Sequence, residues 1–269
     1  MYRLYIYKNL KYNLYIMVKD NIPKYIVVFD MDETLGHFEQ LSIFWMTLVN
    51  YLNKKSIKIK KELLFEIIDN HFNKILRPKI IDILKYLQLQ KKNNICDKII
   101  IFTNNASRKW SNLISDYFSY KLQEPIFDQV IIAFASKGKI LEPDRSQYDK
   151  TYTDLLRCTK LNDDTKVCFL DDISHPEMEH QNVMYLKIKP YQYSYDLDKI
   201  SQDFYKNHKD IIKNREEYIN FMKKNMEEYN YKLIFKSNLE QKVDSIISKR
   251  LRHLLEEFLE NKKKLVYTL

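Results

Sequence analysis

Glycine is almost absent from this chain of 269 residues, which contains only Gly36 and Gly138. The GxGxxG loop of dinucleotide-binding folds and the GxxxxGK[ST] loop of P-loop NTPases both need closely spaced glycines, because the backbone must approach the phosphates. Two glycines about a hundred residues apart cannot form either loop. The sequence therefore excludes both classes of nucleotide-binding site.

Cysteine and long apolar runs are also scarce. Cys96, Cys158 and Cys168 form no CxxC pair, so they suit a reducing compartment and are expected to be buried apolar side chains. No apolar run approaches the ~18 residues of a membrane span, and lysines interrupt the apolar residues at the N-terminus. We therefore expect a soluble, intracellular protein, cytoplasmic or nuclear, with no membrane partner.

Apolar residues make up 45% of the chain, and its formal net charge is +9. The apolar content is enough for a sizeable core. A basic balance favours an acidic or phosphorylated partner. Because the lysines are scattered rather than clustered, a nucleic-acid partner is not favoured.

Four short apolar runs alternate with helical patterns. Each run has the composition of a buried strand, and the alternation predicts an α/β fold with a Rossmann-like, doubly wound parallel sheet. In such sheets, ligands bind at the carboxyl ends of the strands. The predicted strands cover residues 25–29, 98–102, 129–134 and 166–170.

The remaining segments organise the chain around this sheet. Residues 1–24 are a tyrosine-rich, basic N-terminal extension, expected to form short strands or an arm, and residues 25–195 form the α/β domain. Within it, the helices of 39–76 could act as a small cap. Residues 196–269 are a helical C-terminal extension. Its apolar stripe favours packing on the core, with partner binding as the alternative; the stripe comprises Val243, Ile247, Leu251, Leu254 and Phe258.

Two aspartates, Asp30 and Asp32, directly follow the first predicted strand. Carboxylates this close repel one another, so burying both requires a cation. Mg²⁺ suits hard oxygen ligands and leaves positions for phosphate and water. One carboxylate could then attack phosphorus while the other transfers protons. This pattern indicates phosphoryl chemistry at the carboxyl end of the strand.

The nine residues from Val27 to Leu35, Val-Val-Phe-Asp-Met-Asp-Glu-Thr-Leu, resemble the first motif of the haloacid dehalogenase (HAD) superfamily of phosphohydrolases. The DxDETL form resembles the group of phosphatases related to NLI-interacting factor, which includes the RNA polymerase II C-terminal-domain phosphatases. The resemblance implies that Asp30 is the nucleophile and Asp32 the general acid/base. It also implies Mg²⁺ coordination by the Asp30 carboxylate and the Asp32 backbone carbonyl.

Later residues extend the resemblance. Thr103, which ends a predicted strand, matches the second motif, so its hydroxyl and the backbone N–H of Asn104 would hold phosphate oxygens. Asp171 and Asp172 match the fourth motif; Asp171 would ligate Mg²⁺ directly, and Asp172 directly or through water. The alternatives are a strand-end cap at Thr103 and a helix cap at the aspartates. Arg77, followed by Pro78 and an apolar helix, resembles the group's Arg-Pro helix and would anchor neighbouring carbonyl groups.

The third motif of the superfamily is a lysine that neutralises the nucleophile and the transferring phosphoryl group. Lys137, Lys139, Lys150 and Lys160 are all eligible. We prefer Lys150, because the residues from Lys150 onward have the pattern of a helix start about two strands' reach before Asp171.

Together these features predict a Mg²⁺-dependent phosphatase, with phosphoserine or phosphothreonine of a phosphoprotein as the favoured substrate. Two departures from the group cast doubt on a polymerase-type substrate: Asn104-Asn105 replaces Ala-Ser after the second strand, and Gly36 replaces Val after the first motif. The alternatives are a small-molecule phosphatase, such as a nucleotidase, and a catalytically inactive binding module. The C-terminal helices offer a surface for a protein partner.

Overall fold

The structure is a computed structural model that describes the backbone of residues 23–267 and the side chains up to Lys262. Most of the predicted N-terminal extension, 1–24, lies outside the described residues. The strands are β1 (Tyr25–Phe29), β2 (Lys98–Phe102), β3 (Gln129–Ile131), β4 (Ala135–Ser136), β5 (Lys139–Ile140), β6 (Lys166–Asp171) and β7 (Val183–Lys187). The helices are α1 (Glu39–Lys54), α2 (Lys61–His71), α3 (Ile80–Lys92), α4 (Arg108–Leu122), α5 (Tyr152–Thr159), α6 (Leu197–Asn207), α7 (Arg215–Glu227) and α8 (Asn238–Tyr267).

Five of the strands form one parallel sheet in the order β3-β2-β1-β6-β7, with β1 at the centre. The chain builds outward from β1 through β2 and β3, then returns to the other side of β1 for β6 and β7. The predicted doubly wound parallel α/β fold is therefore confirmed. The third predicted strand is shorter than expected, and β7 and the β4–β5 hairpin were not predicted.

The two faces of the sheet are covered very unequally. Side chains alternate along β1, so Val27 and Phe29 enter one apolar cluster while Ile26 and Val28 enter the other. The larger cluster takes the apolar faces of seven helices, α1 to α4 and α6 to α8. The smaller cluster is closed by α5 and Met178. Both faces are thus buried, which explains the nearly uninterrupted apolar runs of the strands.

The C-terminal helices pack on the larger cluster. Phe258 of α8 lies against the ring of Tyr25, with 5.2 Å between ring centroids. The predicted apolar stripe does not coincide with the buried face of α8. Leu251 and Phe258 are buried, but Val243, Ile247 and Leu254 are only half-buried. The buried face instead follows the helical period of 3.6 residues through polar as well as apolar positions, namely Asp244, Ser248, Leu251, Leu255, Phe258, Leu259 and Lys262.

The helices proposed as a cap, α1 and α2, bury their apolar faces in the larger cluster. The domain boundaries themselves stay predictions. The three cysteines are free and buried, as expected. Across the described part of the chain, no helix is both long enough and apolar enough to cross a membrane.

Candidate active site

The predicted site residues meet at the carboxyl edge of the sheet, where three neighbouring strands end. Asp30 follows β1, Thr103 follows β2, and Asp171 is the last residue of β6. Backbone hydrogen bonds fix these strand ends: Asp30 N–H donates to the carbonyl of Leu170 at 2.9 Å, and Thr103 N–H donates to that of Ile131 at 2.9 Å. The position is the point where the winding of the sheet reverses, the place at which such sheets bind ligands.

Lys150 is the lysine that the structure brings to Asp30. Its Nζ donates to Asp30 Oδ1 at 2.5 Å and to Asp171 Oδ2 at 2.6 Å, and the side chain is almost fully buried. Thr151 caps α5 by accepting the N–H of Asp154 at 2.9 Å, which fixes the loop that carries Lys150.

The other three candidate lysines lie elsewhere. Lys137 and Lys139 are exposed at the β4–β5 hairpin, and Lys160 pairs with Asp144 at 3.0 Å on the surface. Among the four, only the Lys150 ammonium contacts the carboxylate of Asp30.

The carboxylates outnumber the lysine. One oxygen each from Asp30, Asp171 and Asp172 lies within 4.8 Å of the others. Burial raises the pKa of Asp30 to about 8, although Lys150 opposes the rise; the charge of Asp171 adds to it. Burial also acts to raise the pKa of Asp171, but contacts with His175 and Lys150 hold that pKa below its usual value. Ionisation of all three carboxyl groups would therefore give the site more negative charge than Lys150 alone neutralises.

This excess charge fits a divalent cation. The donors are hard carboxylate oxygens, which Mg²⁺ prefers, and they are close enough to share one ion. The carboxylate of Asp32 is not part of this group of three, which is compatible with coordination through its backbone carbonyl, as the motif resemblance implies. Burial and the charge of Asp171 raise the pKa of Asp172.

Asp32 is instead held by Asn105, a residue that sequence reasoning missed. Asn105 Nδ2 donates to Asp32 Oδ2 at 3.2 Å, and its backbone N–H donates to Thr103 Oγ1 at 3.1 Å. Burial raises the pKa of Asp32 to about 6, and the hydrogen bond from Asn105 limits that rise. The sequence contained a sign of this role, because Asn105 is one of the two asparagines at which the chain departs from the phosphatase group that its motif resembles.

Arg145 is the second residue that was missed. Its buried guanidinium donates to the carbonyls of Thr103 at 3.2 Å and Tyr148 at 2.8 Å, and to Asn104 Oδ1 at 2.9 Å. It thereby joins the loop after β2 to the loop that carries Lys150. Asn104, whose backbone N–H was predicted to hold a phosphate oxygen, is an exposed residue, and its side chain makes this contact with Arg145.

The turn after Asp30 is held from behind by Arg77. Glu33 has a left-handed backbone, with φ of 56°, which is unusual for a residue with a side chain. Arg77 donates to the carbonyls of Glu33 at 2.7 Å and Thr34 at 2.6 Å, which confirms its predicted anchoring role. Gly36 is required here because a Cβ would lie 2.7 Å from the carbonyl oxygen of Ile75.

Two buried histidines complete the surroundings. His175 Nε2 lies 3.5 Å from Asp171 Oδ2, and its Nδ1 accepts the backbone N–H of Lys150 at 3.4 Å. His37 Nδ1 is hydrogen bonded to Glu33 Oε1 at 2.7 Å. The His175 ring therefore contacts the carboxylate of Asp171 and the backbone of Lys150, and the His37 ring contacts the carboxylate of Glu33.

A cavity of about 420 Å³ opens beside Asp32. Asn105 and Trp110 line one side, and Lys232 and Ile234 of the segment between α7 and α8 line another. The cavity lies on the Asp32 side of the site and is not lined by Lys150 or Asp171.

Comparison with known proteins adds little to this geometry. No family model matches the chain, and no curated protein matches it. Among solved structures, the chain is similar to a HAD-superfamily hydrolase from Ehrlichia chaffeensis at 15% identity. That similarity covers 75% of this chain and 97% of the other, with a TM-score of 0.33. A similarity this weak assigns no function to the chain.

Proposed function

We propose that the protein is a Mg²⁺-dependent phosphomonoester hydrolase of HAD type, with Asp30 as the nucleophile. The observation that carries the proposal is the buried contact of Lys150 with both Asp30 and Asp171 at the carboxyl edge of the sheet. Three acids and one lysine from three separate segments of the chain converge there, which a turn or a helix cap does not require.

Asp30, Asp171 and Asp172 would hold the metal, with the Asp32 backbone carbonyl. When bound, Mg²⁺ would neutralise charge on the carboxylates and on the phosphate oxygens. Lys150 adds a fixed positive charge at Asp30 without needing to move. Thr103 Oγ1 and the backbone N–H of Asn104, at the neighbouring strand end, would hold phosphate oxygens.

The reaction then follows from the positions of the two acids. An oxygen of Asp30 attacks phosphorus, and the bond from phosphorus to the ester oxygen breaks. Asp32 gives its proton to that departing oxygen, which leaves as an alcohol. Asp32 next takes a proton from water, whose oxygen attacks the phosphorus of the aspartyl-phosphate. The products are inorganic phosphate and a free Asp30 carboxylate.

A protein serine/threonine phosphatase is the favoured form of this activity. An occluding cap would favour small substrates; the apolar faces of α1 and α2 are buried in the core beside the sheet, and of these two helices only α1 lines the cavity beside Asp32, through Glu39 and Ser42. A small-molecule phosphatase such as a nucleotidase is the alternative that the substrate screen separates. An inactive binding module is disfavoured because it would not need a buried excess of acids.

The proposal is tested by a phosphatase screen of the full chain with and without Mg²⁺, comparing phosphopeptides, nucleotides and sugar phosphates. We expect turnover that requires Mg²⁺ and stops in excess chelator. Full activity in chelator, or no turnover of any phosphate ester, would overturn the proposal.

Trifluoroberyllate gives a second test, because it imitates a phosphoryl group attached to an aspartate. It should inhibit only when Mg²⁺ is present, and Lys150→Ala should weaken that inhibition. Lys139→Ala is the matched control, since Lys139 is exposed on the β4–β5 hairpin. Weaker inhibition of the Lys139 variant instead would contradict the role assigned to Lys150.

A further inference from the structure

The cavity beside Asp32 is lined mainly by acids where it is charged. The carboxylates of Asp32, Glu33 and Glu39 all belong to its lining. Among the described residues that line it, Lys232, in the segment between α7 and α8, alone carries a fixed positive charge. Even when Asp32 is protonated as the general acid, two carboxylates remain for one ammonium group.

Glu39 differs from the other two acids because its carboxylate has no partner in the protein. Asp32 accepts a hydrogen bond from Asn105 at 3.2 Å, and Glu33 is hydrogen bonded to the ring of His37 at 2.7 Å. Within the part of the chain that the structure describes, the Glu39 side chain makes neither a hydrogen bond nor an ion pair. This carboxylate, on the first residue of α1, is therefore available to a bound molecule.

Aromatic rings line the same cavity. Trp110 of α4 and Phe38, the residue before α1, both belong to the lining. The face of an aromatic ring attracts a cation, and that of tryptophan does so most strongly. Carboxylates and aromatic rings together form favourable surroundings for an ammonium ion and unfavourable ones for an anion.

The position of the cavity connects this charge to the proposed reaction. Asp32 protonates the departing oxygen there, so the alcohol portion of the substrate would lie next to Asp32. Lys150 and Asp171, which contact each other at 2.6 Å, do not line the cavity. The charge of the cavity would therefore act mainly on the alcohol portion and not on the phosphate.

We propose that the cavity beside Asp32 selects phosphate esters whose alcohol portion carries an ammonium group. This inference rests on the proposed function and names a chemical feature of its substrate. The ammonium group would contact the carboxylate of Glu39 and the ring of Trp110. A nucleotide with further phosphate groups would be disfavoured, because the acids of the cavity repel an anion.

The test uses the full chain with Mg²⁺ and compares esters of similar shape that differ in charge. Choline phosphate carries a trimethylammonium group, and 3,3-dimethylbutyl phosphate has carbon in place of that nitrogen. A second pair consists of phosphoserine peptides with either lysine or acetyl-lysine next to the phosphoserine. We expect kcat/KM to be about tenfold higher for the cationic member of at least one pair. The pair that shows the preference distinguishes a small amino alcohol from a basic peptide as the source of the ammonium group.

Two variants should move this preference in opposite directions, measured as the ratio of kcat/KM for the cationic and the neutral ester. Glu39→Gln keeps the size of the side chain but removes its charge, so the ratio should fall about threefold. Lys232→Gln removes the opposing charge, so the ratio should rise. Glu62→Gln is the matched control, because Glu62 is also exposed in the first turn of a helix, α2, and does not line the cavity. Thermal unfolding of each variant checks that the fold is intact.

The possible results separate this inference from the proposed function. Ratios near one in both pairs, or faster turnover of the neutral esters, would overturn the inference. An equal fall of the ratio in Glu39→Gln and Glu62→Gln would also overturn it, since overall charge would then be the cause. In each case, Mg²⁺-dependent turnover of p-nitrophenyl phosphate would leave the phosphatase intact. No hydrolysis of any of these substrates would remove both proposals.

Discussion

Within the described part of the chain, two lysine–aspartate groups with buried side chains differ in charge balance. At the carboxyl edge of the sheet, Lys150 contacts Asp30 and Asp171, and Asp172 lies close by, so one cation faces three acids. In the C-terminal region, Lys236 pairs with Asp244 at 2.5 Å. The charge of Asp244 also acts on Arg77, whose pKa burial lowers to about 10, so this acid faces two cations.

The difference indicates what each group is for. Burying charges costs several kcal/mol per ion unless they are paired. The C-terminal group meets that condition with the protein's own residues and can serve the fold. The group at Asp30 does not, so it is stable only with an added cation or with protonated carboxyl groups. An excess of buried acid that the fold does not need is the physical mark of a functional site.

Asp30→Asn is the substitution with the largest expected effect. Turnover of an aryl phosphate should fall at least about 10⁴-fold, because an amide cannot form the aspartyl-phosphate. The thermal stability of the metal-free protein should not fall, since the change removes one of the crowded charges. Enzyme assays and unfolding in chelator measure the two effects. Steady turnover by the folded variant would disprove the nucleophile assignment.

The same substitution at Asp244 should have the opposite outcome. Asp244→Asn leaves Lys236 buried without its charge partner, so the free energy of unfolding should fall by about 3 kcal/mol. Turnover per folded molecule should fall far less than in Asp30→Asn, because Asp244 reaches the site only through Arg77 and through the segment that carries Lys236. Replacing both partners, Lys236→Met with Asp244→Leu, should recover most of the stability. A large loss of turnover in folded Asp244→Asn would erase the contrast between the groups.

Mg²⁺ should stabilise only through the group at Asp30. At a concentration 100 times its dissociation constant, a ligand that binds the folded state adds about 2.7 kcal/mol to the free energy of unfolding. We expect this stabilisation in the wild type and in Asp244→Asn, and its loss in Asp171→Asn. Ca²⁺ should act more weakly if the donors favour tight octahedral geometry. An equal Mg²⁺ effect in Asp171→Asn would place the metal elsewhere.

The sequence predicted those strands of the sheet that are buried on both faces, because such strands consist of nearly continuous apolar residues. β1, β2 and β6 are central and fully covered, so their runs stood out. β7 was missed because it is an edge strand: its residues from Val183 to Lys187 are half-buried or exposed, without a continuous apolar run. The phase of the α8 stripe was missed because Asp244 and Ser248, both polar, occupy its buried face.

For the site, local motifs predicted which residues converge but not what holds them. Asp30, Asp171 and Lys150 end up in contact because parallel strands end at one edge. Asn105 and Arg145 act through contacts between segments far apart in sequence, such as Arg145 with Thr103. No short motif encodes such contacts. They follow only from the way the loop after β2 packs against the turn after β1 and the loop after β5.

The pH dependence of stability should separate the two groups more finely. In the folded, metal-free protein the pKa of Asp30 is raised from 3.8 to about 8, so between these values the folded state binds more protons than the unfolded one. The free energy of unfolding should therefore fall as pH rises from 4 to 8. In chelator, Asp30→Asn should show a smaller fall than the wild type, and Asp244→Asn an unchanged one. Equal slopes in the wild type and Asp30→Asn would contradict the raised pKa.

The smallest predicted effect concerns Asn105, whose hydrogen bond favours the charged form of Asp32. Asn105→Ala should raise the pKa of Asp32 above its present value of about 6, by about one pH unit. Because an alkyl phosphate needs a proton on its departing oxygen, the alkaline fall of kcat/KM for that substrate should move upward by the same amount. Asn104→Ala is the matched control, since Asn104 Oδ1 contacts Arg145 rather than Asp32. An equal shift in both variants, or a downward shift in Asn105→Ala, would show that Asn105 does not set the protonation of Asp32.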